Sequence, residues 1–380
     1  MNTFRKSIFW MHLVAGIAGG VVIFIMCVTG ALLAFERNII ELSESEMRYV
    51  AVDASRQKLG PGEILEKVTR TQIDAVPTSI SINREDGAAW QVTLGRDGII
   101  FIDPYTGEIK GQSNKTVRSL MSAVREWHRW LAFSAERRQA GKAITGVSNL
   151  FLLFLAISGI YIWFPRKLFW KAMRPVIWFR GGLSGKARDF NWHNTIGFWC
   201  SLFLIVFTLT ATVISYQWAS NLLYSLTGNE VPSASRGQQQ QADQESEFVI
   251  PRNIDAAWQR ASTQAPEWKS ISLKLPAVNE AAVFTIDEGI YWNRFGRSTL
   301  TVDTATVTDI KWEPYGERNA AQQLRSWFRF SHTGETGGIV GQTIGFVACV
   351  GGAFLVWTGF SLAFRRLANW IKRRRRTDLA

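Results

Sequence analysis

Apolar residues gather in four long runs, at roughly 8–35, 143–164, 194–218 and 339–364. Each is about 20 residues or more, enough to cross a hydrocarbon core of about 30 Å as a helix. The pattern changes in the two polar stretches between them. "PGEILEKV" starts a helix with Pro61 in its first turn. "TSISIN" and "WQVTLG" alternate as half-buried strands do, and "DPYTG" reads as the turn of a hairpin. In the second stretch "IDAAWQRAS" reads as a helix, and "SISLKL", "AAVFTID" and "STLTVDT" read as strands. The segment "SASRGQQQQADQESE" is low in complexity and predicts a linker.

The predicted architecture is an α-helical integral membrane protein: a four-helix transmembrane bundle with two outer α+β domains. Transmembrane helix 1 occupies 1–36 and the first outer domain 37–124. A pre-helix and helix 2 occupy 125–165, a basic loop 166–190 and helix 3 191–218. The linker and second outer domain take 219–324, a pre-helix and helix 4 325–366, and a basic tail 367–380.

Charge sets the orientation. The chain of 380 residues carries a formal +12. Arg5 and Lys6 precede the first run, and Arg166, Lys167, Lys171, Arg174, Arg180, Lys186 and Arg188 lie between the second and third. Arg365, Arg366, Lys372 and Arg373 to Arg376 follow the fourth. Threaded in order, all three groups fall on one side, and the positive-inside rule makes that side cytoplasmic. Both termini are then cytoplasmic and both outer domains periplasmic, in a bacterial inner membrane. The charge serves topology and lipid head groups rather than nucleic acid. The first run is too long for a signal-peptide core and is read as a retained helix. Cys27, Cys200 and Cys349 all lie in predicted membrane helices, where buried apolar roles are expected rather than a disulfide framework.

The chain repeats itself. "HLVAG" from His12 matches "HNTIG" from His193, an offset of 181, and Thr29 and Thr210 each follow their histidine by 17 positions. "REWHRW" from Arg125 matches "RSWFRF" from Arg325, an offset of 200, as do Gly141 and Gly341, Gly159 and Gly359, and Arg166 and Arg366. Asp103 of "FIDPYTGEI" matches Asp303 of "LTVDTATVT". This predicts a parallel two-fold internal repeat of one unit: helix in, outer domain, helix back.

Four histidines exist in the whole chain, His12, His128, His193 and His332, and each lies at the end of a predicted membrane helix. Ionisable groups there are costly in lipid and are kept for function. Threading places His12 and His193 near the inner face, His128 and His332 near the outer. Each pair takes one member from each half. Neutral imidazoles facing one another across a bundle can hold a haem iron. Gly16 and Gly197, four residues after His12 and His193, leave room for a flat ring. Two b-type haems, one near each face, would make an electron path. Snorkelling polar residues, a zinc site and a proton relay are the other readings of the same histidines. The outer match is imperfect, because His128 aligns with Phe328 and His332 lies four residues later. Arg125, Arg129, Arg325 and Arg329 flank the outer pair and can fork onto haem propionates or snorkel to the interface. Trp10, Trp127, Trp130, Trp192, Trp199 and Trp327 near the histidines fit an interfacial belt or haem packing. No Walker A or dinucleotide fingerprint occurs, so electrons must come from quinol or a separate cytoplasmic reductase.

"HLVAG", "HNTIG", "REWHRW", "SGIYIWFPRK", "TGFSLAFRR" and "FIDPYTGEI", in that relation to the membrane runs, resemble the PepSY-associated transmembrane proteins, often called iron-regulated membrane proteins. The resemblance spans nearly the whole chain. It implies PepSY-like outer domains and a role in siderophore iron uptake. On that reading the activity is that of a haem-dependent oxidoreductase. Electrons pass from the His12/His193 haem to the His128/His332 haem and then to a periplasmic ferric siderophore, of hydroxamate type, releasing iron as Fe(II). A PepSY-type regulator or sensor, a siderophore permease without redox activity, and a quinol-linked reductase of another acceptor are the alternatives.

Overall fold

The computed structural model describes every residue except 1–2, 72–74, 96, 165–168, 232–249, 276–280, 290–295 and 378–380. The low-complexity linker and the basic residues Arg166 and Lys167 lie outside the described residues. In chain order the helices are α1 (Thr3–Leu33), α2 (Glu36–Ser43), α3 (Ser45–Arg48), α4 (Pro61–Arg70), α5 (Lys115–Trp130) and α6 (Arg138–Trp163). Then follow α7 (Trp170–Ile177), α8 (Gly185–Ser215), α9 (Gln217–Leu226), α10 (Ile254–Gln264), α11 (Ala320–His332) and α12 (Gly338–Thr377). The strands are β1 (Ser79–Asn83), β2 (Trp90–Thr93), β3 (Ile99–Ile102), β4 (Ile109–Gln112), β5 (Ser270–Lys274), β6 (Ala282–Asp287), β7 (Arg297–Asp303) and β8 (Thr308–Glu313). These elements form two compact units, one of residues 1–36, 120–223 and 328–380, the other of 37–119 and 224–327.

The first unit is a helical bundle. Among the described residues four stretches are long and apolar enough to cross a membrane: Thr3–Leu33, Lys115–Trp163, Gly185–Ser215 and Glu335–Arg375. Helices α1 and α8 each pack against both α6 and α12, so α1 and α8 occupy opposite corners. The buried face of α1 runs Ala15, Gly19, Ile23, Cys27, Ala31, one residue every four, mostly small. Such a ridge lets helix backbones approach closely, as membrane packing requires. Its other face, with Val14, Ile17, Val21, Phe24, Val28 and Leu32, is exposed and apolar. That exposure is unfavourable in water and neutral in lipid. Polar side chains are paired inside the bundle at two places: Asn149 Nδ2 donates to Thr208 O and to Thr212 Oγ1, both at 3.0 Å, and Gln342 Nε2 donates to Ala34 O at 3.0 Å. Cys27 and Cys200 are buried, Cys349 half-buried, and all three are free.

The second unit differs from the two separate outer domains expected over 37–124 and 219–324. Their strands join in one eight-stranded antiparallel sheet, ordered β4-β3-β2-β1-β5-β6-β7-β8. The junction pairs β1 with β5, Ser81 opposite Ser272, with their hydroxyls 2.9 Å apart. The physical reason lies in the edges. β1 and β5 both alternate half-buried and buried positions, so each would leave an apolar strand edge unpaired if the halves stood alone. The true edges, β4 and β8, are exposed and carry Lys110, Asp309, Lys311 and Glu313, which discourage further pairing. One core serves both halves. Ile64, Leu65 and Val68 of α4 and Ala257 and Ala261 of α10 meet Ile80, Ile82, Ile271, Leu273, Phe284 and Leu300 of the sheet. The hairpin turns match as the sequence suggests. Asp103 Oδ1 accepts from the Tyr105 amide and Asp303 Oδ1 from the Ala305 amide, both at 2.8 Å.

Helix bounds also differ in detail. The first pre-helix begins at Lys115, ten residues before the expected boundary at 125, and breaks from α6 after Trp130, where Leu131 and Ala132 adopt positive φ of 55° and 53°. The basic loop holds the short α7, and α8 already begins at Gly185.

Candidate functional site

All four histidines lie in the first unit, and the elements that carry them explain their placement. His12 sits in α1, His193 in α8, and His128 and His332 in the last turns of α5 and α11. Each is half-buried. Each presents Nδ1 to a hydroxyl on another helix. His12 Nδ1 lies 2.8 Å from Ser158 Oγ, and His193 Nδ1 2.9 Å from Thr358 Oγ1. His128 Nδ1 lies 3.0 Å from Thr29 Oγ1, and His332 Nδ1 3.3 Å from Thr210 Oγ1 and 3.0 Å from Phe207 O.

The direction of these bonds follows from proton counting. A hydroxyl has one proton. Ser158 donates it to Phe154 O at 2.6 Å, Thr358 to Phe354 O at 2.7 Å, Thr29 to Ile25 O at 2.6 Å and Thr210 to Val206 O at 2.9 Å. These are the back-bonds that Ser and Thr make within helices. With its proton spent, each hydroxyl can only accept, so each Nδ1 is the donor. Phe207 O, a carbonyl, makes the same demand of His332. Nδ1 therefore carries the proton in all four rings, and Nε2 keeps a free lone pair. None of the four Nε2 atoms has a hydrogen-bond partner among the described residues. An Nδ1–H held by an oxygen with Nε2 open is the arrangement that orients metal-ligating histidines.

The outer pair is close. The His128 and His332 ring centres are 6.4 Å apart, with planes at 51°. Two imidazoles sharing one metal would stand at about that separation. His12 and His193 project from opposite corners of the bundle and lie within electrostatic reach of each other. Among the described residues no group of three or more His, Cys, Asp or Glu side chains could hold a metal ion. Each pair would offer two imidazole ligands to a haem iron.

The four-residue displacement of His332 has a structural cause. A Cβ on Gly141 would overlap Trp130 O, two residues past His128, whereas a Cβ on Gly341 would overlap Gly334 O, two residues past His332. The stretch from His332 to Gly341 is four residues shorter than the stretch from His128 to Gly141. Both histidines thus end their helices and meet a threonine of the same offset, and His332 does not sit one turn further along a continuous helix. Replacing Gly141 with Ala is expected to destabilise the bundle by about 1–3 kcal/mol, because the obstacle is backbone and cannot rotate away. Thermal unfolding of the purified variant checks this. The glycines singled out in sequence, Gly16 and Gly197, meet Leu155 Cδ2 at 3.7 Å and Leu355 Cδ2 at 3.6 Å, ordinary contacts that leave room without demanding glycine.

The arginines divide. Arg125 is ion-paired with Glu36. Arg129 lies over Trp130 at 4.9 Å, with Arg138 also against that ring at 4.8 Å, and Arg129 is within electrostatic reach of Arg125, Arg138 and Arg329. Arg329 lies over Phe330 at 5.8 Å, and Arg325, one turn earlier on α11, is exposed. Arg129 and Arg138 add positive charge near the outer histidines, and neither has a carboxylate partner among the described residues.

Two features were not read from sequence. The hydroxyls that orient the imidazoles are one: Thr29 and Thr210 had a signal in their shared spacing, Ser158 and Thr358 only in preceding the matched glycines. The other is Asp189, 1% exposed, paired with Arg188 at 2.8 Å and accepting from Ser361 Oγ at 2.6 Å, one turn before His193. Arg188 in turn lies against Trp192 and Trp357.

No curated protein matches the chain. The family described as PepSY-associated TM region matches residues 9–366, which takes in all four histidines and all four hydroxyls. The chain belongs to the PepSY-associated TM family of membrane proteins.

Proposed function

We propose that the protein is an inner-membrane di-haem reductase that passes electrons across the membrane to a periplasmic ferric siderophore, which releases its iron as Fe(II). The observation that carries this reading is the set of four imidazoles with proton-bearing Nδ1 locked by hydroxyls and Nε2 left open. His12 and His193 would hold one b-type haem and His128 and His332 the other. Haem supplies one-electron redox chemistry when bound. The residues hold imidazole rings in one tautomer, exclude water by the apolar bundle, and offer guanidinium groups at the outer end for propionates. Repeated contacts, at offsets 181 for Thr29 and Thr210 and 200 for Ser158 and Thr358, support a parallel two-fold repeat. The basic residues after the second and fourth spans support cytoplasmic termini and a periplasmic sheet unit. Quinol or a separate cytoplasmic reductase would supply the electrons.

The test is the visible spectrum of the protein purified in detergent from haem-replete cells, oxidised and dithionite-reduced, with haem quantified per chain. A Soret band, sharp reduced α and β bands and about two haems per chain are expected, followed by reoxidation on adding a ferric hydroxamate. A haem-free preparation would sink the reductase and leave a PepSY-type regulator or a siderophore permease. Haem that ferric hydroxamate does not reoxidise would move the substrate to another periplasmic oxidant.

A further inference from the structure

The break between α5 and α6 gathers two arginines about one indole. The guanidinium of Arg129, next to last in α5, lies 4.9 Å from the Trp130 ring centre, and that of Arg138, first in α6, lies 4.8 Å from the same centre. Backbone contacts fix the two elements to each other. Thr145 Oγ1 of α6 donates to Arg129 O at 2.8 Å, and Trp130 O fills the space beside Gly141. Both arginines are exposed, and neither guanidinium forms a hydrogen bond or an ion pair among the described residues. Glu126 and Glu136 are the nearest acids in sequence; both are exposed, and they pair with neither arginine. Arg329 adds a third positive charge within electrostatic reach of Arg129, and Arg125, whose charge Glu36 meets, a fourth. Like charges held together without a counter-ion repel, and two exposed forks can share one anion. The fold does not demand this arrangement. A short 3-10 turn precedes α12 just as one precedes α6, and Gly338 begins α12 where Arg138 begins α6.

We propose that Arg129 and Arg138 clamp the phosphate of an anionic phospholipid head group beside Trp130. The place of the clamp selects a lipid. Arg138 lies five residues before the apolar run that begins at 143, within a stretch long and apolar enough to cross a membrane. Indole rings favour the depth where head groups meet acyl chains. Net anionic head groups fit two guanidiniums better than zwitterionic ones, which bring a cation of their own to the same place. None of the three residues is an iron ligand in the reading above, and the test turns on Arg138, so the site stands or falls apart from the haems.

The experiment is hydrogen exchange by mass spectrometry of the full chain in nanodiscs of phosphatidylcholine, with and without phosphatidylglycerol. Opening the turn at 131–137 separates Arg129 from Arg138, so a lipid that needs both resists the opening. Phosphatidylglycerol is expected to slow amide exchange across 131–137 by about threefold or more. Arg138→Gln is expected to erase that slowing while exchanging like the parent in phosphatidylcholine alone, and Arg138→Lys, which keeps the charge without the fork, to restore part of it. The glutamine variant meets the same bilayer charge as the parent, so it separates the clamp from the general field of the membrane. Equal exchange with and without phosphatidylglycerol, or a slowing that persists in Arg138→Gln, would overturn the proposal. Inorganic phosphate producing the same slowing in phosphatidylcholine nanodiscs would also overturn it, by assigning the clamp to a soluble anion. Should Arg138→Gln exchange faster even without phosphatidylglycerol, native mass spectrometry decides: one fewer phosphatidylglycerol retained per chain is expected, and an unchanged number refutes the clamp.

Discussion

Under the proposed di-haem function, replacing His193 with alanine is expected to lower bound haem from about two to about one per chain, with the outer haem retained. His193 and His12 stand on opposite corners of the bundle, and among the described residues no third His, Cys, Asp or Glu is grouped with them to substitute as ligand. His128 and His332 stay paired through Thr29, Thr210 and Phe207, none of which touches His193. The reduced α band should therefore fall by about half rather than vanish. A second variant separates ligation from mere packing. Thr358→Val preserves shape and removes the acceptor of the His193 Nδ1–H. Loss of such an orienting partner typically weakens metal affinity by about 10–100-fold, so Thr358→Val should hold haem weakly and lose it on dilution. Full haem content in His193→Ala would remove His193 as a ligand. Normal retention in Thr358→Val would mean that the hydroxyl orients nothing.

The membrane spans were legible because about 20 apolar residues in a row have few other uses. The four histidines were legible because nothing else ionisable lies in those spans except at their ends. What could not be read is the length of the stretch between His332 and Gly341. Alignment by residue type set Phe328 beneath His128, yet Gly141 and Gly341 pack against carbonyls two residues past each histidine. A four-residue deletion there leaves no mark on hydrophobic period, which counts faces and not connections. The single sheet was hidden for a related reason. β1 and β5 show the same alternation, Ile80 and Ile82 against Ile271 and Leu273, whether they are edges or neighbours. Only their pairing decides. The family assignment adds the order of these parts, and the hydroxyl–imidazole contacts add the direction of each proton.

The second large effect lies in the sheet unit, at Glu44. Glu44 is fully buried in the sheet unit between α2 and α3. Arg118 of α5 forks onto it, Nε to Oε1 at 2.5 Å and Nη2 to Oε2 at 2.8 Å. Arg48 adds 2.9 Å to Oε2 and the Asn114 amide 3.1 Å to Oε1. Burial alone would raise the pKa of this carboxyl, but the hydrogen bonds and charge of Arg118, with Arg48 and the Asn114 amide, outweigh it and hold it below the ordinary value of 4.5. A carboxyl depressed on folding contributes stability that is present above its unfolded pKa and is lost as pH falls through the lower folded value. Local protection of this clamp should therefore persist at neutral pH and decay below about pH 4.5. Glu44→Gln leaves two guanidinium groups facing a neutral amide. Breaking a buried pair in this way costs about 3–5 kcal/mol, so amide exchange in residues 44–48 and 114–118 should quicken on the order of 100-fold or more at pH 7. The variant should also lose the acid dependence, since the titrating group is gone. Hydrogen exchange by mass spectrometry on the intact chain reads both effects without requiring the bundle to unfold. Exchange in Glu44→Gln equal to the parent at pH 7 would mean that the clamp is held by the apolar neighbours, with the buried charges contributing no net stability to it.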